Sequence, residues 1–290
     1  MLVIGSSGSH NLAKEIAKRL NANYADLVVD KFPDNEIRIR FSKSVKGRKV
    51  ILVQSFYNNR YSVNDKIVEV LFAAYTAREL KAKKLFLVAP YLAYLREDKR
   101  FEKGESISAK IIAKLFKIFD KVFIVEPHLH RFKKLKDFFP NAKKISVAGE
   151  ISDYIKKNFE DYILVGPDQE SWQWVKDIAK YLPKPSVVVF KKERIGPEKV
   201  RILKRKRKQK KKQEAIIIDD IISTGGTMLE AAKEAKKFAK KICCLGIHGI
   251  FAKNSLSRLK KYKVMSTNSI PSRVSKIDIT ESIVKELKRG

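Results

Sequence analysis

The chain has 290 residues, room for one large domain or two modest ones, and its 44% hydrophobic content is enough for a sizeable core. No apolar run is long enough to span a membrane and the start of the chain is not signal-like, so a soluble, cytoplasmic protein is expected. Sixty-three Lys and Arg against 32 Asp and Glu give +31, a field that attracts phosphates, nucleotides or nucleic acid without choosing among them, and Lys enrichment is also a hyperthermophile habit.

Short apolar runs alternate with helical patterns along the chain. Residues 1–6 read as a strand and 11–20 as a helix; then come a strand at 49–56, a long helix at 63–80 and a strand at 84–92. A helix at 106–119 and a strand at 121–129 close the first half. The second half repeats the rhythm with strands at 161–168, 185–190, 215–223 and 241–251, and helices at 171–182, 227–241 and 254–262. Continuous apolar strands between helices imply mainly parallel sheets covered on both faces. The only cysteines, Cys243 and Cys244, are adjacent in an apolar run, form neither a CxxC pair nor a disulfide framework, and are expected to be buried strand residues.

The stretches "MLVIGSSGSHNLAKEIAKRL" and "DYILVGPDQESWQWVKDIAKYL" share a strand, a glycine-containing loop and a helix ending Ile-Ala-Lys-x-Leu. They suggest two α/β domains of related design, 1–145 and 146–290. One segment breaks the rhythm: nine of the thirteen residues from Arg201 to Gln213 are basic. A solvated edge hairpin and a polyanion-binding patch both fit it, and the lack of interleaved aromatics weakens a base-stacking role.

The chemistry concentrates in "AIIIDDIISTGGT", 215–227. A buried strand runs into a Ser/Thr/Gly loop that opens a helix, whose unpaired N–H groups and positive dipole end suit a phosphate. The two aspartates cannot be phosphate ligands, since like charges about 4 Å apart repel by roughly 4 kcal/mol at an effective dielectric of 20. They must face sugar hydroxyls or a metal ion. Phosphate at one end and vicinal hydroxyls at the other describe ribose 5-phosphate. No Walker loop is present, so ATP, if bound, is held otherwise.

This loop resembles the ribose-phosphate loop of type I phosphoribosyltransferases and of ribose-phosphate pyrophosphokinases, so it fits makers and users of phosphoribosyl pyrophosphate (PRPP) alike. Further segments resemble the pyrophosphokinases alone: "FPDNE" (32–36), "VAPYLAYLREDKR" (88–100), "VEPHLH" (125–130), "VGPDQES" (165–171), "FKKERIGPEKV" (190–200), "HGIF" (248–251) and "STNSIP" (266–271). The resemblance implies two phosphoribosyltransferase-like domains, each a mainly parallel sheet flanked by helices, with ATP served by the first and ribose 5-phosphate by the second. It implies that Phe32, Asp34, Glu36, Arg96, Glu97 and Asp98 hold ATP. Asp219, Asp220, Ser223, Thr224, Gly225, Gly226 and Thr227 would hold ribose 5-phosphate, His128 and Asp168 would position magnesium with ATP, and Lys192 and Arg194 would act in catalysis. His130 is a second, unaligned histidine. Glu97, Glu126 and Gln169–Ser171 depart from the family pattern. A homo-oligomer, at least a dimer with a shared ATP site, is implied; nucleic acid is not expected as a partner. A non-catalytic paralogue and a nucleic-acid-binding regulator on the same fold are the rival readings.

Overall fold

In a computed structural model of the chain, residues 1–129, 134–194, 200–203 and 212–290 are described, with side chains for 1–129, 134–190 and 213–290. His130 and most of the basic run fall outside the described residues, as do the side chains of Lys192 and Arg194. The chain divides into two units, Met1–Ser146 with Thr280–Gly290, and Val147–Ile279.

The first unit contains β1 (Leu2–Gly5), α1 (His10–Arg19), β2 (Asn23–Lys31), β3 (Ile37–Phe41), β4 (Lys49–Val53), α2 (Val63–Glu79), β5 (Lys84–Ala89), α3 (Ser108–Leu115), β6 (Lys121–Val125) and β7 (Ala142–Ile145). Its strands form one sheet in the order β3-β2-β1-β4-β5-β6-β7, with only β3 antiparallel to its neighbour. The central strands are apolar throughout because helices cover both faces: Val50 to Val53 and Leu85 to Ala89 are all buried. α2 starts with a capping box, in which Asp65 N–H donates to Ser62 Oγ at 3.1 Å and Ser62 N–H donates to Asp65 Oδ2 at 2.8 Å. The expected helix at 106–119 is shorter. It gives way to a 3-10 turn at Phe116–Ile118, where the Asn141 amide takes the carbonyls of Phe116 (3.2 Å) and Phe119 (2.7 Å).

The second unit contains α4 (Ala148–Asn158), β8 (Tyr162–Gly166), α5 (Trp172–Ala179), β9 (Ser186–Val189), β10 (Lys191–Arg194), β11 (Val200–Leu203), β12 (Lys212–Ile222), α6 (Gly226–Ala235), β13 (Ala239–Gly249), α7 (Ser255–Arg258), β14 (Lys263–Thr267) and β15 (Ser275–Ile277). Its main sheet, ordered β15-β14-β13-β12-β8-β9, is parallel at every pairing, while β10 and β11 form a separate antiparallel pair. Ile163, Val165, Ala215, Ile217 and Cys244 pack under Met228, Ala231 and Ala235 of α6. Each fully buried aliphatic side chain there contributes roughly 1.5–3 kcal/mol. Cys243 and Cys244 are buried as expected, and burial pushes the Cys244 thiol up to about 12. α6 stops at Ala235, short of the expected 241, because residues from Ala239 onward join the sheet beside β12.

The last helix, α8 (Thr280–Lys288), belongs to the first unit rather than to the half that precedes it in sequence. Ile283, Val284 and Leu287 are buried, and Glu286 pairs with Lys143 at 2.5 Å.

Candidate functional site

In an open parallel sheet, a crevice forms where the chain leaves in opposite directions from two neighbouring strands. The first unit has this point between β1 and β4, and the second between β8 and β12. The two crevices are furnished differently.

At β1/β4 the chain's own side chains fill the loop. Ser7 donates through N–H (3.0 Å) and Oγ (2.5 Å) to the buried Glu69 carboxylate, and Gly8 N–H donates to Gln54 Oε1 at 2.8 Å. Lys66 is also fully buried; its ammonium donates to the Tyr57 carbonyl at 2.6 Å and lies 3.9 Å from the Tyr57 ring centroid. Burial lowers the Lys66 ammonium to about 8 and raises the Glu69 carboxyl. A Cβ on Gly8 would meet the Ser55 carbonyl at 2.5 Å and Gln54 Oε1 at 2.7 Å. Sequence reasoning missed this network, because a Lys and a Glu three apart on a helix ordinarily read as a solvated pair.

The rest of the first unit's candidates sit on its edge and on later strand ends. Phe32, Asp34 and Glu36 form the tight turn of the β2–β3 hairpin: Phe32 N–H donates to the Glu36 carbonyl at 2.8 Å, and Glu36 N–H donates to Asp34 Oδ1 at 3.1 Å. The Phe32 ring is 46% exposed, so a face is open for stacking, and the Arg38 guanidinium lies 5.6 Å from its centroid. Beyond β5, Arg96 and Glu97 are exposed and Asp98 is buried; the Glu97 carbonyl accepts from Ala109 N–H at 3.2 Å, tying this segment to the first turn of α3. Beyond β6, Glu126 is buried with a left-handed backbone (φ +34°). Its carboxylate accepts from Ser146 Oγ at 2.7 Å and pairs with Lys144 at 2.6 Å, so it braces the loop. His128, half-buried, follows two residues later.

At β8/β12 the second unit brings Asp168 and the 219–227 loop to the carboxyl ends of adjacent parallel strands, with Val165 and Ile217 as register partners. Asp168 is half-buried and Oδ1 accepts from Ser171 N–H at 3.0 Å, while Ser171 Oγ donates to the Asp168 carbonyl at 2.6 Å. Ser171, a departure from the family pattern, is thus the residue that shapes this turn. Gly166 makes room for it, since a Cβ there would meet Ser171 Oγ at 2.7 Å.

Asp219 is half-buried and Asp220 is buried; Asp219 Oδ1 accepts from Asp220 N–H at 3.1 Å. Ser223 and Thr227 are half-exposed and Thr224 is exposed, with its carbonyl accepting from Arg258 at 2.9 Å. Gly225 caps α6 in the left-handed region (φ +79°), as only glycine does without strain. Gly226 differs: its φ is not left-handed and a Cβ there would meet nothing within 4 Å. The fold itself does not require glycine at 226, and the N–H groups of this first helical turn lack intrahelical carbonyls.

The "HGIF" and "STNSIP" segments brace this loop from the side. Phe251 N–H donates to the Ile222 carbonyl at 3.0 Å, and buried His248 bonds Ser269 Oγ at 2.9 Å through Nδ1. Thr267 Oγ1 donates to the Ile247 carbonyl at 2.7 Å. Among the described residues no group of three or more His, Cys, Asp or Glu forms a metal cage. Within the second unit, carboxylates at strand ends, Asp168 and Asp219, suit a hard cation that keeps waters and leans on substrate phosphates, rather than one held by protein alone.

Residues 1–119 match the model of the N-terminal domain of ribose phosphate pyrophosphokinase, and residues 140–282 that of the phosphoribosyl transferase domain. The chain is 35% identical to a ribose-phosphate pyrophosphokinase of Pyrococcus abyssi, over 98% of this chain and 97% of that one. It is also 35% identical to that of Pyrococcus furiosus, over 99% and 100%. In fold it resembles the crystal structure of phosphoribosylpyrophosphate synthetase from Mycobacterium smegmatis, with a TM-score of 0.83 over 99% of this chain and 97% of that one at 23% identity.

Proposed function

Since the chain belongs to the ribose-phosphate pyrophosphokinase family, we propose that it transfers the diphosphoryl group of ATP to the C1 hydroxyl of ribose 5-phosphate, giving PRPP and AMP. The C1 oxygen attacks the β-phosphorus in line, the bond from the α,β-bridging oxygen to the β-phosphorus breaks, AMP departs, and the hydroxyl proton is lost to solvent or base.

The observation that carries this reading is the pair of adjacent glycines at the start of α6. Gly225 is explained by its own backbone, whereas a Cβ on Gly226, in the first turn of the helix, would meet nothing within 4 Å. An anion approaching the backbone accounts for glycine at that place. The 5-phosphate would take these N–H groups with the hydroxyls of Ser223, Thr224 and Thr227, and Asp219 and Asp220 would take the ribose hydroxyls. Phe32 offers a stacking face for adenine, Asp34 and Glu36 accept from its amine or ribose, and Arg96, Glu97 and Asp98 complete the nucleotide's polar contacts. Lys192 and Arg194 are assigned from their motif on β10: cations there would stabilise the charge developing on the transferred phosphates.

Magnesium is the proposed cofactor, with His128 and Asp168 as its protein-side groups; when bound, it neutralises the phosphate charge. The half-buried imidazole of His128 would orient the nucleotide's phosphates. Asp168 contributes its carboxylate, whose direction the Ser171 N–H fixes. We assign the protein to the cytoplasm and to a homo-oligomer of at least two copies.

The test is AMP formation from ATP and magnesium with and without ribose 5-phosphate. AMP appearing only with the sugar phosphate, in equal amount to PRPP, supports the assignment. No AMP across several temperatures and divalent metals would sink it.

A further inference from the structure

We infer that the amino edge of the second unit's sheet docks the phosphate backbone of a nucleic acid. The family reading supplies no such partner; the layout of charge does, independently of the proposed reaction. Every pairing in this sheet is parallel, so its strands all start at one edge, opposite the carboxyl ends that carry Asp168 and the 219–227 loop. At the starting edge Lys236, Lys240, Lys241, Lys260, Lys261 and Lys263 are all exposed. Cys243 is the register partner of Lys263, so Lys241 enters β13 at the level where Lys261 leads into β14, on strands about 4.8 Å apart. Two contacts join the neighbouring segments into one surface. The Lys236 ammonium, just beyond α6, lies 5.3 Å from the Tyr262 ring centroid, and that of Lys263 lies 4.3 Å from the Phe159 ring at the end of α4.

Counter-charge is missing here. Among the described residues none of the six lysines is ion-paired; Glu234 is held by Lys237 at 2.7 Å, and the Asp161 carboxylate accepts from Gln213 N–H at 3.1 Å. In the first unit, by contrast, Lys31, Arg38, Arg78, Lys143 and Lys144 each have a carboxylate partner. Cations crowded without counter-charge repel one another, and a polyanion relieves the repulsion. The side-chain types choose the polyanion. Lysines are point charges without the guanidinium fork that grips a carboxylate, which favours spaced phosphates over an acidic protein. No large hydrophobic side chain is exposed among them, so the surface has neither a protein hot spot nor the apolar half of a membrane-binding face. No exposed aromatic is there to stack on a base, so the backbone is read and the sequence is not.

Fluorescence anisotropy of labelled single-stranded RNA, and of DNA of the same sequence, each about 20 nucleotides long, tests this with the full chain. Both should bind alike at about 50 mM salt and about a hundredfold more weakly at about 200 mM, as roughly five phosphate contacts require. Lys240→Gln/Lys241→Gln/Lys261→Gln should melt like wild type, bind at least about tenfold more weakly and show a log–log salt slope shallower by about 2. Lys18→Gln/Lys285→Gln/Lys288→Gln takes the same charge from exposed positions of the first unit and should stay within about twofold of wild type. The inference is overturned if neither strand binds at the lower salt, if affinity ignores salt, or if the edge variant binds like wild type. It is equally overturned if the first-unit variant weakens as much as the edge variant, since net charge alone would then explain binding, or if phosphatidylserine vesicles bind while neither oligonucleotide does.

Discussion

Gly225 and Gly226 are adjacent, yet replacing each by alanine should damage different properties. At Gly225 the backbone is left-handed (φ +79°), which costs an L-residue roughly 1–2 kcal/mol, and the new Cβ would sit 3.3 Å from Leu259. Gly225→Ala should therefore lower stability by about 2 kcal/mol and the melting temperature by several degrees. At Gly226 the backbone is unstrained and the Cβ meets nothing, so alanine's better helix propensity should hold or raise stability by up to about 1 kcal/mol. That methyl group would stand where the 5-phosphate is proposed to approach. Losing one charge-assisted hydrogen bond costs about 1.5–3 kcal/mol, which corresponds to a rise in KM for ribose 5-phosphate of roughly tenfold to over a hundredfold. The KM for ATP should stay within about twofold. Calorimetry and steady-state kinetics on both variants give the four numbers. A Gly226→Ala enzyme with normal KM for ribose 5-phosphate would refute the cradle, and a fully stable Gly225→Ala protein would refute the backbone argument.

Phe32→Ala removes an exposed ring, so it should leave the melting temperature unchanged while raising the KM for ATP, measured at saturating ribose 5-phosphate, roughly tenfold. Lys192→Ala should lower kcat strongly with modest change in KM; an unchanged kcat would remove Lys192 from the mechanism. Glu69→Gln should destabilise the protein by roughly 3 kcal/mol, because Lys66 is left buried without its counter-charge, and the double variant Lys66→Met/Glu69→Gln should recover most of the loss. Lys66 titrates near 8 when folded and near 10.5 when unfolded, so its burial cost is fully present below pH 8 and is relieved as pH rises between these values. Denaturant melts from pH 7 to 10.5 should show that relief in wild type and not in Lys66→Met.

The alternation of strands and helices was legible because parallel strands covered on both faces must be apolar along their whole length, as Ile216–Ile218 and Leu85–Val88 are. The ribose-phosphate loop was legible because its residues are contiguous. What escaped depends on distant contacts. Nothing local in Thr280–Lys288 says that it returns to the first unit, where Glu286 finds Lys143. The inward turn of Lys66 and Glu69 is set by Tyr57 and Ser7, on other loops. Helix ends were overestimated where alanines and lysines continue a helical pattern beyond Ala235 but strand pairing claims them instead. Most of the basic run and the side chains of Lys192 and Arg194 fall outside the described residues, so the motif is the support for the roles given to those two.

The central claim is that the chain moves a diphosphoryl group, not a single phosphoryl group, onto the sugar. Phosphorus NMR of a reaction containing ATP, magnesium and ribose 5-phosphate measures this directly. The account predicts matched growth of AMP and of a sugar with a diphosphate at C1 and a monophosphate at C5. ADP with a ribose bisphosphate, or AMP with free pyrophosphate and unchanged sugar, would contradict it.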